Sequence, residues 1–397
     1  MNSIRFGIAL TVVLISGCAA TAPRLPEAAP DVPTNGGPPV TAPAPAPRPP
    51  GQEMTVPNSE YLTTSPKYQG RPVYRVWYGT NRAPINPADP SKGFGNQRDS
   101  KINYGACIVE IPESHEFGST GSSWIKRWIK RTDDRLKLHE IEPMDRARFV
   151  DFMRAKLASR PQGQRTTLIY IHGYNVDFNE AAIRAAQIGF DLKVDGETAF
   201  FSWASRGDVK AYVADGATIR ASELHLQEFI TTILDNPAAE RIDILAHSMG
   251  NQALLGVMER IRQQKGTAAF NRIANVILAA PDVDIDEFRQ LASVYPSVAR
   301  RTTLYISSKD LALKSSGIVN DHPRAGFTPP VTIVPGIDTV EVSDIDLTVL
   351  GHGYFAEAGA VLYDMFDLLK SNRGPEQRVR LAPKRTPDNR EYWAIRP

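Results

Sequence analysis

Cysteine is nearly missing from this sequence: the 397 residues contain two, Cys18 and Cys107, too few for a multi-cysteine metal site. Histidine is scarce as well. His115, His139 and His225 stand at no ligand-like spacing from one another or from acids, so no protein metal site is expected. A phosphate-binding loop is missing too. Gly93-Phe94-Gly95 lacks the Gly-Lys-Ser/Thr ending, and no dinucleotide fingerprint follows a strand, so no cofactor is expected. Neither charge sign dominates, and a formal net charge of +2 gives no reason to invoke nucleic acid. Beyond the N-terminal run, no segment approaches the length of a transmembrane helix.

What is present begins at the N-terminus. Arg5, an apolar run over 6–15 and then Ser16-Gly17-Cys18-Ala19 make a charged region, a short hydrophobic region and a small-residue cleavage site. That is the organisation of a signal peptide over 1–17, too short to span a bilayer comfortably. Ile15-Ser16-Gly17-Cys18 resembles the lipobox of bacterial lipoproteins, which implies a mature chain beginning at a lipidated Cys18 and attached to a membrane through that anchor. Ala19 in the next position resembles lipoproteins sorted to the outer membrane, so the expected location is the bacterial cell envelope, facing the periplasm. The alternative is an ordinary secretion signal containing an incidental cysteine. With Cys18 lipidated, Cys107 stands alone and no intramolecular disulfide forms. Residues 18–56 are rich in Pro, Ala and Gly, with Pro43-Ala44-Pro45-Ala46-Pro47 at the centre. Such a composition buries too little apolar surface to fold and favours extended polyproline conformations, so it reads as a disordered tether. Residues 372–397 carry seven Arg or Lys against three acids. The segment 371–397 is expected as a basic, solvated tail with some packing through Tyr392 and Trp393.

Between tether and tail the pattern is regular. Strands are expected at 72–78 and 104–111, then a polar stretch and a helix over 145–158. From residue 166 short β-rich runs alternate with helical periodicity: strands at 166–171, 198–203, 241–246, 274–279 and 302–306, and a last one within 331–342. The intervening helices fall at 178–192, 219–234, 251–264 and near 286–294, with a closing helix at 356–369. Continuous apolar strands such as Thr166-Thr167-Leu168-Ile169-Tyr170-Ile171 suit burial on both faces, and alternation with helices argues repeated βαβ units. The expected fold class is α/β, with a mostly parallel central sheet flanked by helices, as one domain over 57–370.

The strongest local signal is Ile242-Asp243-Ile244-Leu245-Ala246-His247-Ser248-Met249-Gly250-Asn251. An apolar strand leads to a serine at the apex of a sharp turn, and a helix follows. This is an Ala variant of the Gly-x-Ser-x-Gly nucleophile elbow, where small flanking residues let strand and helix backbones approach. A serine so placed is exposed near a helix N-terminus and the Met249 N–H, and it needs a general base to act as a nucleophile. The alternative role is a helix N-cap. His247, adjacent in sequence, is read as structural.

Here the chain resembles the α/β-hydrolase superfamily, and within it an uncharacterised bacterial esterase/lipase-like family. The matching pieces are Trp77-Tyr78-Gly79-Thr80-Asn81-Arg82, Ile171-His172-Gly173-Tyr174-Asn175, Ala246 to Asn251, Ala280-Pro281-Asp282-Val283-Asp284 and Gly351-His352-Gly353-Tyr354-Phe355. The resemblance implies an α/β-hydrolase fold and a Ser-acid-His triad. His172 and Gly173 would form the oxyanion loop, with Tyr174 and Met249 contributing backbone N–H groups and Asn175 lining the pocket or bracing the loop. His352 is the implied base; His322, in a Pro-containing loop, is the lesser candidate. Asp310 is favoured as the acid, after the penultimate strand, over Asp282, after the strand before it. Asp344 and Asp346 read as turn or surface residues. Trp203, at the end of a strand, is either a pocket wall or a core residue. Arg82 and Asp215 are either a structural ion pair or substrate contacts.

Together these assignments imply acyl transfer from a small-molecule or lipid-like ester to water through an acyl-enzyme on Ser248. Thioester or amide hydrolysis would use the same constellation. A different class of reading is a catalytically silent envelope protein that uses the fold for binding or assembly. No specific protein partner is expected.

Overall fold

The computed structural model describes residues 62–63, 66–121, 134–207, 211–266, 270–342 and 359–396, all of which fall in the unit Val56–Pro397. The order is β1 (Val73–Pro84), β2 (Phe94–Glu110), β3 (Lys137–Met144), α1 (Arg146–Ala158), β4 (Thr166–Ile171), α2 (Phe178–Asp191), β5 (Gly196–Ser202), α3 (Tyr212–Ala221), α4 (Glu223–Leu234), β6 (Arg241–His247), α5 (Gly250–Lys265) and β7 (Ile273–Ala279). There follow α6 (Ile285–Leu291), α7 (Val294–Val298), β8 (Arg301–Ile306), α8 (Leu311–Val319), β9 (Asp338–Glu341), α9 (Gly359–Ser371), β10 (Leu381–Arg385) and β11 (Glu391–Ile395).

These strands form one sheet in the order β10-β11-β9-β8-β7-β6-β4-β5-β1-β2-β3. Pairing is parallel from β1 through β5, β4, β6, β7, β8 and β9 to β11, and antiparallel at β1/β2, β2/β3 and β10/β11. The expected α/β architecture is what the chain adopts. All six residues of β4 are buried. Leu168 and Tyr170 face one apolar layer, Ile169 and Ile171 the other, as the two-residue period of a strand requires. Helices cover both faces: α1, α4 and α5 on one, α2 and α9 on the other. Each large side chain buried in these layers is worth about 1.5–3 kcal/mol of transfer free energy.

The topology fixes where a site forms. The chain runs from β4 outward to β5, and β6 lies on the opposite side of β4. The C-terminal ends of β4 and β6 therefore flank a topological switch point, where loops diverge and open a crevice. The loop after β4 ends at a capping box: Glu180 N–H donates to Asp177 Oδ1 at 2.8 Å, and Asp177 N–H to Glu180 Oε2 at 3.0 Å. That pair starts α2 at Phe178 and limits the loop to a few residues.

Several expected elements are drawn differently. Strand β2 begins ten residues before its predicted start, because a polar stretch pairs with β1 as a half-exposed hairpin. The helix predicted over 219–234 is two helices, divided at Ser222, whose hydroxyl donates to the Thr218 carbonyl at 2.7 Å. Strand β3 lies where only a polar stretch was expected. The 371–397 segment is not a solvated tail: a hairpin adds β11 and β10 to the sheet, with Leu381 and Ile395 buried. Pro383 is accommodated because β10 is the outermost strand, where a missing N–H leaves no ladder bond unmade.

Candidate active site

The turn between β6 and α5 holds Ser248 at φ +52°, a left-handed conformation that costs a non-glycine residue on the order of 1–3 kcal/mol. Hydrogen bonds over-determine it. Ser248 N–H donates to the Ala279 carbonyl at 3.0 Å, while the Ser248 carbonyl accepts from Asp282 N–H at 3.2 Å and Asn251 N–H at 3.1 Å. Asn251 Nδ2 donates to the carbonyls of Ser248 and Ala246, each at 3.1 Å. No side chain caps α5, so the N-cap role open to Ser248 from sequence is not the one it plays. The serine is buried, 1% exposed, rather than standing free at the apex.

Small residues are required around it. A Cβ on Gly250 would lie 2.7 Å from the His172 carbonyl oxygen, and one on Gly173 would lie 2.7 Å from Ser248 Cβ and 2.8 Å from His247 Nδ1. The loop after β4 thus abuts the elbow after β6. Ile171 pairs with Ala246 across the two strands, so register alone brings His172-Gly173 beside His247-Ser248. Asn175, also left-handed at φ +58°, turns that loop; asparagine tolerates this region better than most residues.

Beneath the loop lies a buried polar chain. Arg82 Nε donates to Ser202 Oγ at 2.8 Å, and His172 Nε2 lies 3.2 Å from the same oxygen. His172 Nδ1 is 2.7 Å from the Gly173 carbonyl oxygen. The imidazole stacks on Trp203 with centroids 5.3 Å apart, and Trp203 Nε1 donates to the His172 carbonyl at 2.9 Å. Burial, and then the charge of Arg82, push the His172 pKa down to about 3. Burial likewise lowers Arg82 to about 10, which leaves it charged at neutral pH. Trp203 is fully buried and serves as core. Arg82 and Asp215 make no direct pair in the hydrogen-bond pattern: both bond to Ser205, Arg82 NH1 to its carbonyl at 2.9 Å and Asp215 Oδ2 to its hydroxyl at 2.6 Å.

The two candidate acids have different surroundings. Asp282 Oδ1 accepts from Arg324 Nε at 2.7 Å and Ser316 Oγ at 2.5 Å, and Oδ2 accepts from Tyr212 Oη at 2.8 Å. Burial, and then the Asp282 charge, push the Tyr212 hydroxyl up to about 12, so it stays a donor. Asp310 is fully buried just after β8, and its Oδ1 accepts from Leu313 N–H at 3.0 Å, capping α8. Tyr174 packs edge-on against Tyr212, with ring centroids 5.5 Å apart. Met249 is fully buried at the start of α5. His322 is exposed, its Nδ1 turned to the carbonyl of Asp321. His352, Asp344, Asp346, Cys18 and the 18–56 tether lie outside the described residues.

Arg82, Ser202, Ser205, Tyr212, Ser316 and Arg324 carry this site's polar framework, and sequence reasoning assigned none of them that task. The one available signal was Arg82, a charge near the end of a strand that is buried over most of its length. Among the described residues no group of three or more His, Cys, Asp or Glu side chains is placed to hold a metal ion, and no helix is long and apolar enough to cross a membrane. A cleft of about 460 Å³ between β2, α1 and α4, lined by Lys101, Tyr104, Arg146, His225 and Glu228, contains none of the predicted site residues.

A largely parallel sheet flanked by helices, with a left-handed serine turn at its switch point, defines an α/β-hydrolase fold. More particularly, the chain belongs to the family described as alpha/beta hydrolase of unknown function (DUF900), whose pattern matches residues 149–372. No curated protein matches the sequence. Solved structures similar to it include a CIB-like hydrolase from Thermoplasma acidophilum, 18% identical over 53% of this chain and 88% of its own, TM-score 0.32. Carboxylesterase CesB from Bacillus subtilis is 11% identical over 54% and 87%, TM-score 0.30. An esterase from Pyrobaculum calidifontis is 9% identical over 58% and 94%, TM-score 0.33. Similarity this distant says nothing of substrate.

Proposed function

We propose that this protein is a serine ester hydrolase in which Ser248 forms an acyl-enzyme, His352 is the general base and Asp310 orients it. The observation that carries the reading is the left-handed Ser248, held between β6 and α5 by four backbone and side-chain hydrogen bonds. Such strain persists where surrounding structure enforces it, and it is concentrated at functional turns. Asp310 is preferred for its place directly after β8, where the family resemblance sets the acid; Asp282 bonds to Arg324, Ser316 and Tyr212. In the proposed cycle His352 takes the serine proton as Ser248 Oγ attacks the ester carbonyl. The amides of Tyr174 and Met249 receive the oxyanion, His352 then protonates the leaving alcohol, and water reverses these roles to free the acid. The substrate class is a small-molecule or lipid-like ester. We also propose that the chain is tethered to the bacterial envelope, facing the periplasm, through a lipid on Cys18; loss of incorporated labelled fatty acid in Cys18→Ala is the expected result.

The test is hydrolysis of p-nitrophenyl esters of increasing acyl length by the full chain, beside Ser248→Ala, with labelling by a fluorophosphonate. Serine-dependent turnover and labelling are expected, with a loss of at least about 10³-fold in Ser248→Ala, the scale found when a triad member is removed. A folded wild-type protein that neither turns over any ester nor labels would sink the reading.

A further inference from the structure

The two closest side-chain contacts of the His172 ring, to the Gly173 carbonyl and the Ser202 hydroxyl, orient the polar chain beneath the oxyanion loop. His172 Nδ1 faces the Gly173 carbonyl at 2.7 Å, and a carbonyl only accepts, so Nδ1 carries the ring proton. In the neutral ring Nε2 is then an acceptor, and the Ser202 hydroxyl, 3.2 Å away, donates to it. Ser202 Oγ accepts in turn from Arg82 Nε at 2.8 Å. Every member thus donates in one direction, from a buried cation towards the carbonyl of Gly173.

That carbonyl and the Tyr174 N–H belong to one planar peptide unit. A donor on the oxygen fixes the plane of the unit and polarises its N–H, as hydrogen bonds in series strengthen one another. Arg82 also holds the far end of the loop. Its NH2 donates to the Val176 carbonyl at 2.7 Å, and its NH1 donates to the Ser205 carbonyl at 2.9 Å. Ser205 Oγ accepts from Val176 N–H at 3.3 Å. One guanidinium therefore grips both ends of the segment 173–176, directly at Val176 and through two side chains at Gly173. We propose that Arg82, Ser202 and His172 form a positioning relay that aims and strengthens the Tyr174 amide as a donor to the developing oxyanion. The proposal rests on the hydrolase reading above. None of the three touches substrate; they act through the peptide.

The relay predicts a defect confined to the transition state. In Ser202→Ala the buried hydroxyl is lost and His172 Nε2 is left without its donor, while Ser248 and its elbow are untouched. The full-length variant is expected to lose about 10- to 100-fold in kcat, somewhat less than removal of an oxyanion donor, with KM within about two-fold. Affinity for a trifluoromethyl ketone, which mimics the oxyanion, is expected to fall by the same factor, and Ser202→Thr to restore both. Unchanged kcat and ketone affinity in a folded Ser202→Ala, or a rise in KM alone, would overturn the relay. If Ser202→Ala does not fold, the wild-type ring decides. ¹⁵N shifts showing the Nδ1-protonated tautomer of His172 support the relay, and the Nε2-protonated tautomer rules it out. A wild type without turnover or labelling removes the hydrolase reading first and the relay with it.

Discussion

Two backbones meet at Ser248 with no room for a side chain between them. Gly173 is not in the left-handed region, so the effect of an alanine there is its Cβ, placed 2.7 Å from Ser248 Cβ and 2.8 Å from His247 Nδ1. Neither partner has a flexible end that swings away. Gly173→Ala is therefore expected to destabilise the fold by about 1–3 kcal/mol, the usual cost of overpacking, and to slow fluorophosphonate labelling by more than the stability loss explains. Labelling at the wild-type rate would mean that the loop shifts freely. His172 gives a second residue-scale prediction. Its folded pKa of about 3 lies below the ordinary imidazole value of 6.5. Between those values the unfolded chain binds a proton that the folded one refuses. Stability conferred by the neutral ring is complete above about pH 6.5 and falls by about 1.4 kcal/mol per unit as pH drops towards 3. His172→Gln is expected to flatten that slope in urea midpoints measured between pH 7.5 and 5. An unchanged slope would show that His172 binds its proton in the fold as readily as in the unfolded chain.

Asp282 and Asp310 each follow a strand end on the same edge of the sheet, and in sequence only the rank of the strand each one follows favours Asp310. What separates them is tertiary: Arg324, Ser316 and Tyr212 reach Asp282 from distant elements, and no local pattern announces such partners. The same logic governs the elements themselves. β4 was legible to the residue because it is buried on both faces, and its apolar run has no other use. β3 was not, since Lys137–Met144 is a half-buried edge strand that reads as loop. The terminal hairpin hid behind its charge, although Leu381, Ala394 and Ile395 are buried. The elbow was visible because its constraint, small residues around a serine, is local. The acids are now distinguishable by one substitution made twice. Asp282→Asn leaves Arg324 buried without its counter-charge, at a cost of about 3–5 kcal/mol. Asp310→Asn keeps the α8 cap, because asparagine caps as well as aspartate, so its stability loss is expected to be smaller than that of Asp282→Asn while kcat falls about 10⁴-fold. The reverse pattern in kcat and urea midpoint would make Asp282 the acid.

The family pattern covers residues 149–372, yet the folded unit extends past it on both sides, through β1–β3 and through the β10–β11 hairpin. The hairpin is joined to the rest by a buried ionic group. Arg378 NH1 donates to Asp364 Oδ2 at 3.1 Å, and Tyr305 Oη donates to the same oxygen at 2.7 Å, all three side chains being at most 2% exposed. Arg378 leads into β10, Asp364 sits on α9 and Tyr305 on β8, so the pair makes the hairpin part of the same cooperative unit as the central sheet. Removing Arg378 separates two effects by pH. Burial already raises the Asp364 pKa, and Arg378 opposes that rise; without the arginine it climbs further. Once pH exceeds about 3.9, the usual value for an aspartate, the unfolded chain has released a proton that folded Asp364 retains. Stability of the variant then declines with rising pH until Asp364 ionises in the fold as well. Arg378→Met is thus expected to lose about 3–5 kcal/mol near pH 7, the cost of an unpaired buried charge, and less at pH 5. The quantity to measure is the difference in unfolding free energy from wild type at each pH, in which the His172 contribution cancels. A gap that narrows on acidification places the uncompensated charge on Asp364. A gap that stays constant would mean that Arg378 serves by packing alone, and that the hairpin is held by its strand pairing to β9.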